Sequence, residues 1–134
     1  YVHAGMVGLD GEKMSKSKGN LVFVSQLLRD GRDPMVIRIA LISSHYRSDQ
    51  MWNQARLDRA EIFLQDLRTA LSMMEVASTD GVISEIIAAL ADDLDTERAF
   101  VALQNWISDS FAGATGGSAG ELSRAIDTLL GIAI

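Results

Sequence analysis

The longest helical pattern in the chain is MWNQARLDRAEIFLQDLRTALSMM, residues 51–74. Its apolar side chains recur at alternating intervals of three and four residues, as in the seam of a coiled coil. They are Leu57, Ala60, Leu64, Leu67, Leu71 and Met74. A helix with one apolar stripe needs partners that cover the stripe. The stretch therefore predicts a helical bundle built around residues 51–74.

Helical patterns with their own boundary signals lie on both sides of this stretch. Upstream, Asp33 is a capping acid followed by Pro34 at the first helical position, and the apolar pattern runs to Ile42. Residues 43–48 then interrupt it. The sequence thus predicts that the bundle begins at residue 33.

Downstream, three further helices are predicted before the end of the chain. The first carries an apolar face from Ile83 to Leu94, and the second begins at Asp95 or Thr96. The inward positions of the second are Phe100, Leu103, Ile107 and Phe111. A flexible glycine-rich loop spans 113–120. The last helix follows the capping box Ser118-x-x-Glu121 and stops near Gly131. The predicted fold class is mostly α: a bundle of four or five helices over residues 33–134.

Composition excludes several classes of protein. The chain has 134 residues, 48% of them apolar, and no cysteine, so it has no disulfide, no catalytic thiolate and no cysteine-ligated zinc. No apolar run approaches the ~18 residues that span a bilayer. The chain starts at Tyr1 without a signal peptide. We expect a piece of a longer cytoplasmic protein that does not bind a membrane.

Charge is divided unequally along the chain. Residues 1–60 hold nine Lys/Arg and six Asp/Glu, whereas residues 61–134 hold three and twelve. Binding of nucleic acids depends on clusters of Lys/Arg. The acidic second part is therefore a poor candidate for binding RNA, and tRNA is an unlikely partner, while the basic first part suits a small anionic ligand.

Residues 1–32 precede the bundle and form a separate predicted segment. Residues 1–10 suit an extended segment, Asp10-Gly11 is a turn signal, and Leu21–Val24 predict a second short strand. Ser25 is a candidate cap for a short helix that Gly31 stops. Residues 12–20 lie between the strands as a polar loop, which we expect to be poorly ordered without its partner domain.

The polar loop reads Lys13-Met14-Ser15-Lys16-Ser17, followed by Lys18-Gly19-Asn20. A polyphosphate needs ammonium and hydroxyl donors on a backbone that can close around it. Composition alone favours the alternative, a solvated basic loop.

The string KMSKS resembles the signature loop of class I aminoacyl-tRNA synthetases. In that family the loop closes over ATP and stabilises the pyrophosphate leaving group while an amino acid becomes its adenylate. The resemblance implies that Lys13 and Lys16 are catalytic contacts to the phosphates. It also implies that Met14, Ser15 and Ser17 belong to the nucleotide site as residues that shape the loop or donate hydrogen bonds.

The stretch Gly5-Met6-Val7-Gly8 resembles the strand whose backbone meets adenine in the same superfamily. Met6 and Val7 are then candidate nucleotide-binding residues, with Val7 acting through its main chain. The alternative for Val7 is an ordinary core valine.

The segments flanking the loop resemble two narrower families. Tyr1–Val7 and His45-Tyr46-Arg47-Ser48 are similar to cysteinyl-tRNA synthetases, and more closely to the cysteine:glucosaminyl-inositol ligases of actinobacterial mycothiol biosynthesis. Asp92-Asp93-Leu94-Asp95-Thr96 and the ending at 125–131 favour the ligases. The resemblance covers the whole chain but only the C-terminal third of such an enzyme.

This resemblance implies an enzyme that uses ATP with Mg²⁺ to activate L-cysteine and transfers the cysteinyl group to the amine of glucosaminyl-inositol. Residues 1–32 would end the nucleotide-binding fold, whose N-terminal part is the partner of this chain. The family's zinc ligands would lie upstream, so no metal site is expected here and the fragment alone should be inactive. The alternatives are the same region of a cysteinyl-tRNA synthetase and a non-catalytic helical interaction module.

Other conspicuous residues have structural interpretations. His45, Tyr46 and Arg47 at a helix end predict a capping or interdomain role, with ligand binding as the alternative. The acids at the junction of two helices are interpreted as caps rather than as metal ligands; they are Asp92, Asp93, Asp95 and Glu97. Trp52 and Trp106 are predicted core residues.

Overall fold

The computed structural model describes residues 1–134 and contains six helices and one small sheet. The helices are α1 (Val24–Arg29), α2 (Pro34–Ile42), α3 (Gln54–Leu71), α4 (Asp80–Ala91), α5 (Thr96–Phe111) and α6 (Ala119–Leu130). The strands are β1 (Val7–Leu9), β2 (Glu12–Lys13) and β3 (Gln50–Trp52). The predicted mostly helical fold is confirmed. None of the helices is both long enough and apolar enough to cross a bilayer.

The sheet has the strand order β2-β1-β3, with β1 in the centre. The predicted turn at Asp10-Gly11 is confirmed: both residues have positive φ, 52° and 83°, which is the geometry of a tight two-residue hairpin loop. This turn joins β1 to β2 in antiparallel register, with Leu9 opposite Glu12. Strand β3 lies parallel to β1 on the other side, with Leu9 opposite Trp52.

Two sequence predictions about these elements are wrong. Leu21–Val24 form no strand: α1 begins at Val24, and Ser25 lies inside that helix instead of capping it. The predicted helix 51–74 is shorter at both ends: it begins after Asn53, whose side chain caps it by accepting a hydrogen bond from the Arg56 N–H at 2.9 Å, and it ends at Leu71. The residues before Asn53 pair with β1, a partner more than forty positions away that local periodicity does not reveal.

The core confirms most of the predicted apolar seam. Leu57, Ala60, Leu64 and Leu67 of α3 are buried, as are Trp52 and Trp106. Met74 lies beyond the end of α3 and is fully exposed, and Phe111 in the last turn of α5 is 48% exposed, so both inward predictions fail.

Boundary signals were predicted more accurately than strands. The Asp33 carboxylate accepts a hydrogen bond from the Met35 N–H at 2.8 Å and caps α2, with Pro34 at the first helical position. Asp95 caps α5 in the same way. Helix α6 follows Ser118 as predicted, but the serine side chain makes no capping bond. It ends at Gly131, which has a φ of +65°.

The glycine-rich loop is held against the core. Ala77 and Gly116 form an antiparallel bridge, and the Gly117 N–H donates to the Val76 carbonyl at 3.0 Å. The buried Trp106 Nε1 donates to the Ala77 carbonyl at 2.9 Å. The loop therefore packs on the segment that joins α3 to α4.

Candidate active-site loop and its supports

The β1–β2 hairpin presents the lysine loop, residues 13–20, at the edge of the sheet. The side chain of Asn20 closes this loop on itself. Its Oδ1 accepts a hydrogen bond from the Ser15 N–H at 2.9 Å, and its Nδ2 donates to the Lys13 carbonyl at 3.2 Å. Because one amide at the end of the loop bonds the first residue and the central serine of the KMSKS string, the lysine loop has a defined closed path. Sequence reasoning did not identify Asn20 as a site residue.

The three lysines of the loop have different surroundings. Lys18 Nζ lies 2.9 Å from Glu12 Oε2 in an exposed ion pair. Lys13 and Lys16 are exposed and have no ion-pair partner among the residues of the chain. The two lysines predicted to contact phosphate are thus the two that are free to do so.

The two serines of the string also differ. Ser15 is half-buried, and its Oγ accepts a hydrogen bond from the Lys18 N–H and lies 3.3 Å from Ser17 Oγ. Ser17 is exposed. Gly19 completes the turn with a φ of +67°, and its N–H donates to the Lys16 carbonyl. Ser15 therefore shapes the loop, whereas Ser17 keeps its hydroxyl on the surface.

Met14 anchors the loop to the rest of the molecule. Its side chain is half-buried and lines an apolar cavity of about 220 Å³ between the hairpin, α1 and α2. The other lining residues are Val7, Val22, Val24, Leu27, Ile37, Leu41 and Trp52. The contact is an apolar one and fixes the base of the loop.

Met6 and Val7 use their main chains differently. The Met6 N–H donates to Asp49 Oδ1 at 2.7 Å, and its carbonyl accepts from the Gln50 N–H at 2.8 Å. Both polar groups of Met6 are occupied by the segment before β3. The Val7 carbonyl accepts a long bond of 3.4 Å from the Met14 N–H. Because both main-chain groups of Met6 are already bonded, Val7 stays the candidate for a main-chain contact with a ligand.

A second polar cluster joins the end of α2 to the α4–α5 junction. The Tyr46 hydroxyl donates to Asp93 Oδ1 at 2.7 Å and accepts from Arg47 Nε at 2.8 Å. Arg47 Nε also lies 2.9 Å from Asp93 Oδ2, and His45 Nε2 is 2.9 Å from the Asp93 carbonyl. Sequence reasoning singled out 45–47 and Asp93 separately but did not bring them together.

Electrostatics in this cluster favour the ionised forms. The hydrogen bond from Tyr46, reinforced by the charge of Arg47, lowers the pKa of Asp93. The hydrogen bond to Tyr46 and the charge of Asp93 raise the pKa of Arg47. His45 Nδ1 faces the Arg47 N–H at 3.3 Å, so the proton of the neutral ring belongs on Nε2, opposite the Asp93 carbonyl.

Arg56 of α3 bonds the last turn of α2 and the residues that follow it. It is partly buried, and its guanidinium donates to the Ala40 carbonyl at 3.0 Å and to Gln50 Oε1 at 3.0 Å, with the Ser44 hydroxyl as a further acceptor. Burial lowers the pKa of Arg56. A cation at this place satisfies carbonyl oxygens at the C-terminal end of α2.

The donor set of the chain does not fit a resident metal ion. No three His, Asp or Glu side chains lie close enough together to hold one, and the chain has no cysteine. The acids at the α4–α5 junction act instead as a cap (Asp95) and as ion-pair partners. We therefore assign no metal-dependent step to these residues.

Comparison with known proteins identifies relatives for this arrangement. Residues 1–62 match the family described as tRNA synthetases class I (C) catalytic domain. All of the chain matches proteins named L-cysteine:1D-myo-inositol 2-amino-2-deoxy-alpha-D-glucopyranoside ligase. Identity is 49% for the protein of Streptomyces griseus and 50% for that of Streptomyces coelicolor, and the match covers 33% of each. The protein of Nocardia farcinica is 44% identical over 98% of the chain and 32% of its own length.

The chain thus spans about one third of the length of the curated relatives that it matches. The family match covers the hairpin, the lysine loop and the sheet, and the relatives extend the likeness through the helical bundle. Residues 1–62 are therefore similar to the class I (C) tRNA synthetase catalytic domain, and the whole chain is similar to about a third of these L-cysteine ligases.

Proposed function

We propose that the chain is the C-terminal part of an ATP-dependent ligase that activates L-cysteine as cysteinyl-AMP. The ligase then passes the cysteinyl group to the amine of glucosaminyl-inositol, the amino sugar in the names of the relatives. The observation that carries the proposal is the closed loop with two unpaired lysines, Lys13 and Lys16, in a chain about 50% identical to such ligases.

In this proposal the chemistry has two steps. A carboxylate oxygen of cysteine attacks the α-phosphorus of ATP, the bond to the bridging oxygen breaks, and pyrophosphate leaves. The amine of the sugar then attacks the carbonyl carbon, AMP leaves, and the nitrogen loses a proton. The product is an amide.

The residues of the lysine loop act in the first step. Negative charge accumulates on the departing pyrophosphate, and the ammonium groups of Lys13 and Lys16 stabilise that charge. Ser17 offers a hydroxyl to the same oxygens, while Ser15 and Met14 keep the loop in shape. ATP enters as its Mg²⁺ complex, with Val7 near the adenine. A zinc ion that selects cysteine would have its ligands outside this chain.

In this proposal the chain has two parts. Residues 1–32 complete the nucleotide-binding fold of the longer enzyme, whose N-terminal domain is the partner of this segment, and residues 33–134 form the helical bundle. Strand β3 returns from the bundle to β1, so the two parts share one sheet. The ligase would work in the cytoplasm, and the isolated fragment would be inactive.

A second candidate is the same region of a cysteinyl-tRNA synthetase, which the class I tRNA synthetase family match favours. Residues 61–134 oppose it, because they hold twelve acidic and three basic side chains and offer little to a phosphate backbone.

The deciding experiment supplies the full-length enzyme with ATP and L-cysteine and measures AMP release with each acceptor. Release driven by glucosaminyl-inositol supports the ligase, and release driven by cysteine tRNA supports the synthetase. If neither acceptor stimulates AMP release, the proposal that the enzyme transfers cysteine is contradicted.

The role of the loop is tested by a pair of lysine variants. Lys16→Ala should lower the rate of cysteinyl-AMP formation about 100- to 1,000-fold, the usual cost of losing one donor to developing charge. Lys18→Gln is the matched control, because Lys18 already pairs with Glu12 at the surface. Its rate should stay within about threefold of wild type. Equal losses in both variants would contradict the assignment.

A further inference from the structure

The segment 44–50, which runs from the end of α2 into β3, makes three hydrogen bonds to the backbone of the residues just before β1. The Tyr46 carbonyl accepts a hydrogen bond from the Gly5 N–H at 2.7 Å. Asp49 and Gln50 bond the N–H and the carbonyl of Met6 at 2.7 and 2.8 Å. The strand that leads into the lysine loop is therefore fixed by the segment 44–50.

Gly5 makes this contact a tight one. A Cβ built at Gly5 would overlap the backbone carbonyl of Ser48 and come within 2.8 Å of the Arg47 carbonyl. Backbone cannot move aside as the end of a flexible side chain can. The backbone of Gly5 therefore lies directly against residues 47–48, with no room for a side chain between them.

The same segment is bonded on its other side to the α4–α5 junction. The His45 N–H donates to Glu97 Oε1 at 3.0 Å, and the Thr96 hydroxyl donates to the Ser44 carbonyl at 3.4 Å. The Tyr46 hydroxyl donates to Asp93. Tyr46 is thus bonded to β1 through its carbonyl and to the junction through its side chain.

The backbone of the junction depends on outside contacts for its conformation. Asp93 and Leu94 have consecutive positive φ values of 55° and 57°, a left-handed pair without a glycine. Such residues persist only where surrounding contacts hold them, and they concentrate at functional positions. The bonds that Asp93 receives from Tyr46, Arg47 and His45 are such contacts.

We infer that Tyr46 is a positioning residue that couples the α4–α5 junction of the helical bundle to β1 and hence to the lysine loop. The junction fixes Tyr46, Tyr46 fixes Gly5, and the hairpin that follows sets where Lys13 and Lys16 stand. The inference rests on the proposed function, since it assigns the bundle a part in adenylate formation. It gives a role to the bonds between the helical bundle and the residues that lead into the β1–β2 hairpin.

The test uses Tyr46→Phe in the full-length enzyme, which removes the hydroxyl and keeps the ring. Cysteine-dependent ATP–pyrophosphate exchange should show a kcat lowered about three- to tenfold, the equivalent of one hydrogen bond, with the KM for L-cysteine unchanged. Glu85→Gln is the matched control, because it breaks an exposed ion pair to Arg98 at the same junction without reaching the segment 44–50. Its kinetics should equal those of wild type.

A double-mutant cycle with Lys16→Ala identifies the route. If Tyr46 acts through the lysine loop, Tyr46→Phe should lower the rate by a smaller factor in the Lys16→Ala background than in wild type. The same factor in both backgrounds, or no effect of Tyr46→Phe at all, would overturn the inference. Lack of exchange in the wild-type enzyme would instead overturn the proposed function.

Thermal unfolding of each variant separates positioning from loss of folding. If Tyr46→Phe unfolds at the assay temperature, Asp93→Asn replaces it in the cycle, since it removes the charge that holds the same hydroxyl. A folded Asp93→Asn enzyme with wild-type kcat would then count against the coupling.

Discussion

Replacing Asn20 with alanine tests whether the shape of the lysine loop matters to the reaction. The amide of Asn20 bonds the KMSKS string at two places, at the Ser15 N–H at 2.9 Å and at the Lys13 carbonyl at 3.2 Å. Alanine removes both bonds and leaves the lysines in place. The loop keeps its charge and loses its closed path.

The magnitude follows from the two hydrogen bonds. Each has a net value of about 0.5–1.5 kcal/mol, so the closed loop loses about 1–3 kcal/mol relative to open forms. The bond to Lys13 is exposed and the bond to Ser15 is only partly buried, which favours the lower half of that range. If the closed loop is the form that stabilises pyrophosphate, the rate of cysteinyl-AMP formation should fall about tenfold.

The assay is single-turnover formation of cysteinyl-AMP by the full-length enzyme at saturating ATP. Asn20→Asp keeps the acceptor for Ser15 but turns the donor facing the Lys13 carbonyl into an acceptor, so it should be impaired at least as much as alanine. Lys18→Gln breaks only an exposed ion pair in the same loop and is the control. A wild-type rate for Asn20→Ala would refute the reasoning, because the loop would then act without its clamp.

Three further predictions concern stability, measured by urea unfolding. Trp106→Phe should lower the free energy of unfolding by about 1–3 kcal/mol, because the buried Ala77 carbonyl loses its donor. Asp33→Ala should lower the free energy of unfolding by about 1 kcal/mol. Ser118→Ala should lower it by less than about half of that, because the Ser118 side chain, unlike that of Asp33, makes no capping bond. Hydrogen bonding lowers the pKa of folded Asp93, so its ionised form stabilises the fold above its unfolded pKa of about 4. The difference in unfolding free energy between wild type and Asp93→Asn should therefore be present at about pH 7 to 8 and disappear as the pH falls through the lowered pKa.

Helices and their boundaries could be predicted because their signals are local. Asp33 and Pro34 mark the start of α2 within two residues, and the three-and-four spacing along α3 identifies its buried face. Asp95 marks the start of α5 in the same way. Each of these features depends on atoms within one or two helical turns of the residue itself.

The strand predictions were wrong because strands depend on distant partners. Residues 21–24 have the composition of a strand, yet no partner strand lies beside them, and Val24 enters α1. Gln50–Trp52 continue a helical pattern in sequence, yet they pair in parallel with Val7–Leu9. The lack of a partner decided the first outcome and a partner more than forty residues away decided the second; β-propensity is largely a measure of such surroundings.

In the candidate site, too, the residues with a local sequence signal could be predicted and those joined by long-range contacts could not. The lysines and serines of the loop could be identified from five consecutive residues, because that string carries its own chemistry. The clamp by Asn20 spans seven residues and leaves a weak signal, an amide at the end of a polar run. Tyr46 and Asp93 are 47 positions apart, and nothing near either of them predicts the other.

What sequence could have offered at Tyr46 is a reason to look for a distant partner. The run 43–48 is polar, follows the strongly apolar helix α2 and contains three long side chains that can bond to distant residues. A run of this kind is either solvated or bonded to another part of the fold, and a phenol next to a guanidinium favours bonding to a carboxylate. Charge does not single out Asp93 among the twelve acidic residues of 61–134. The consequence for β1 also requires the position of Gly5, which only the folded backbone provides.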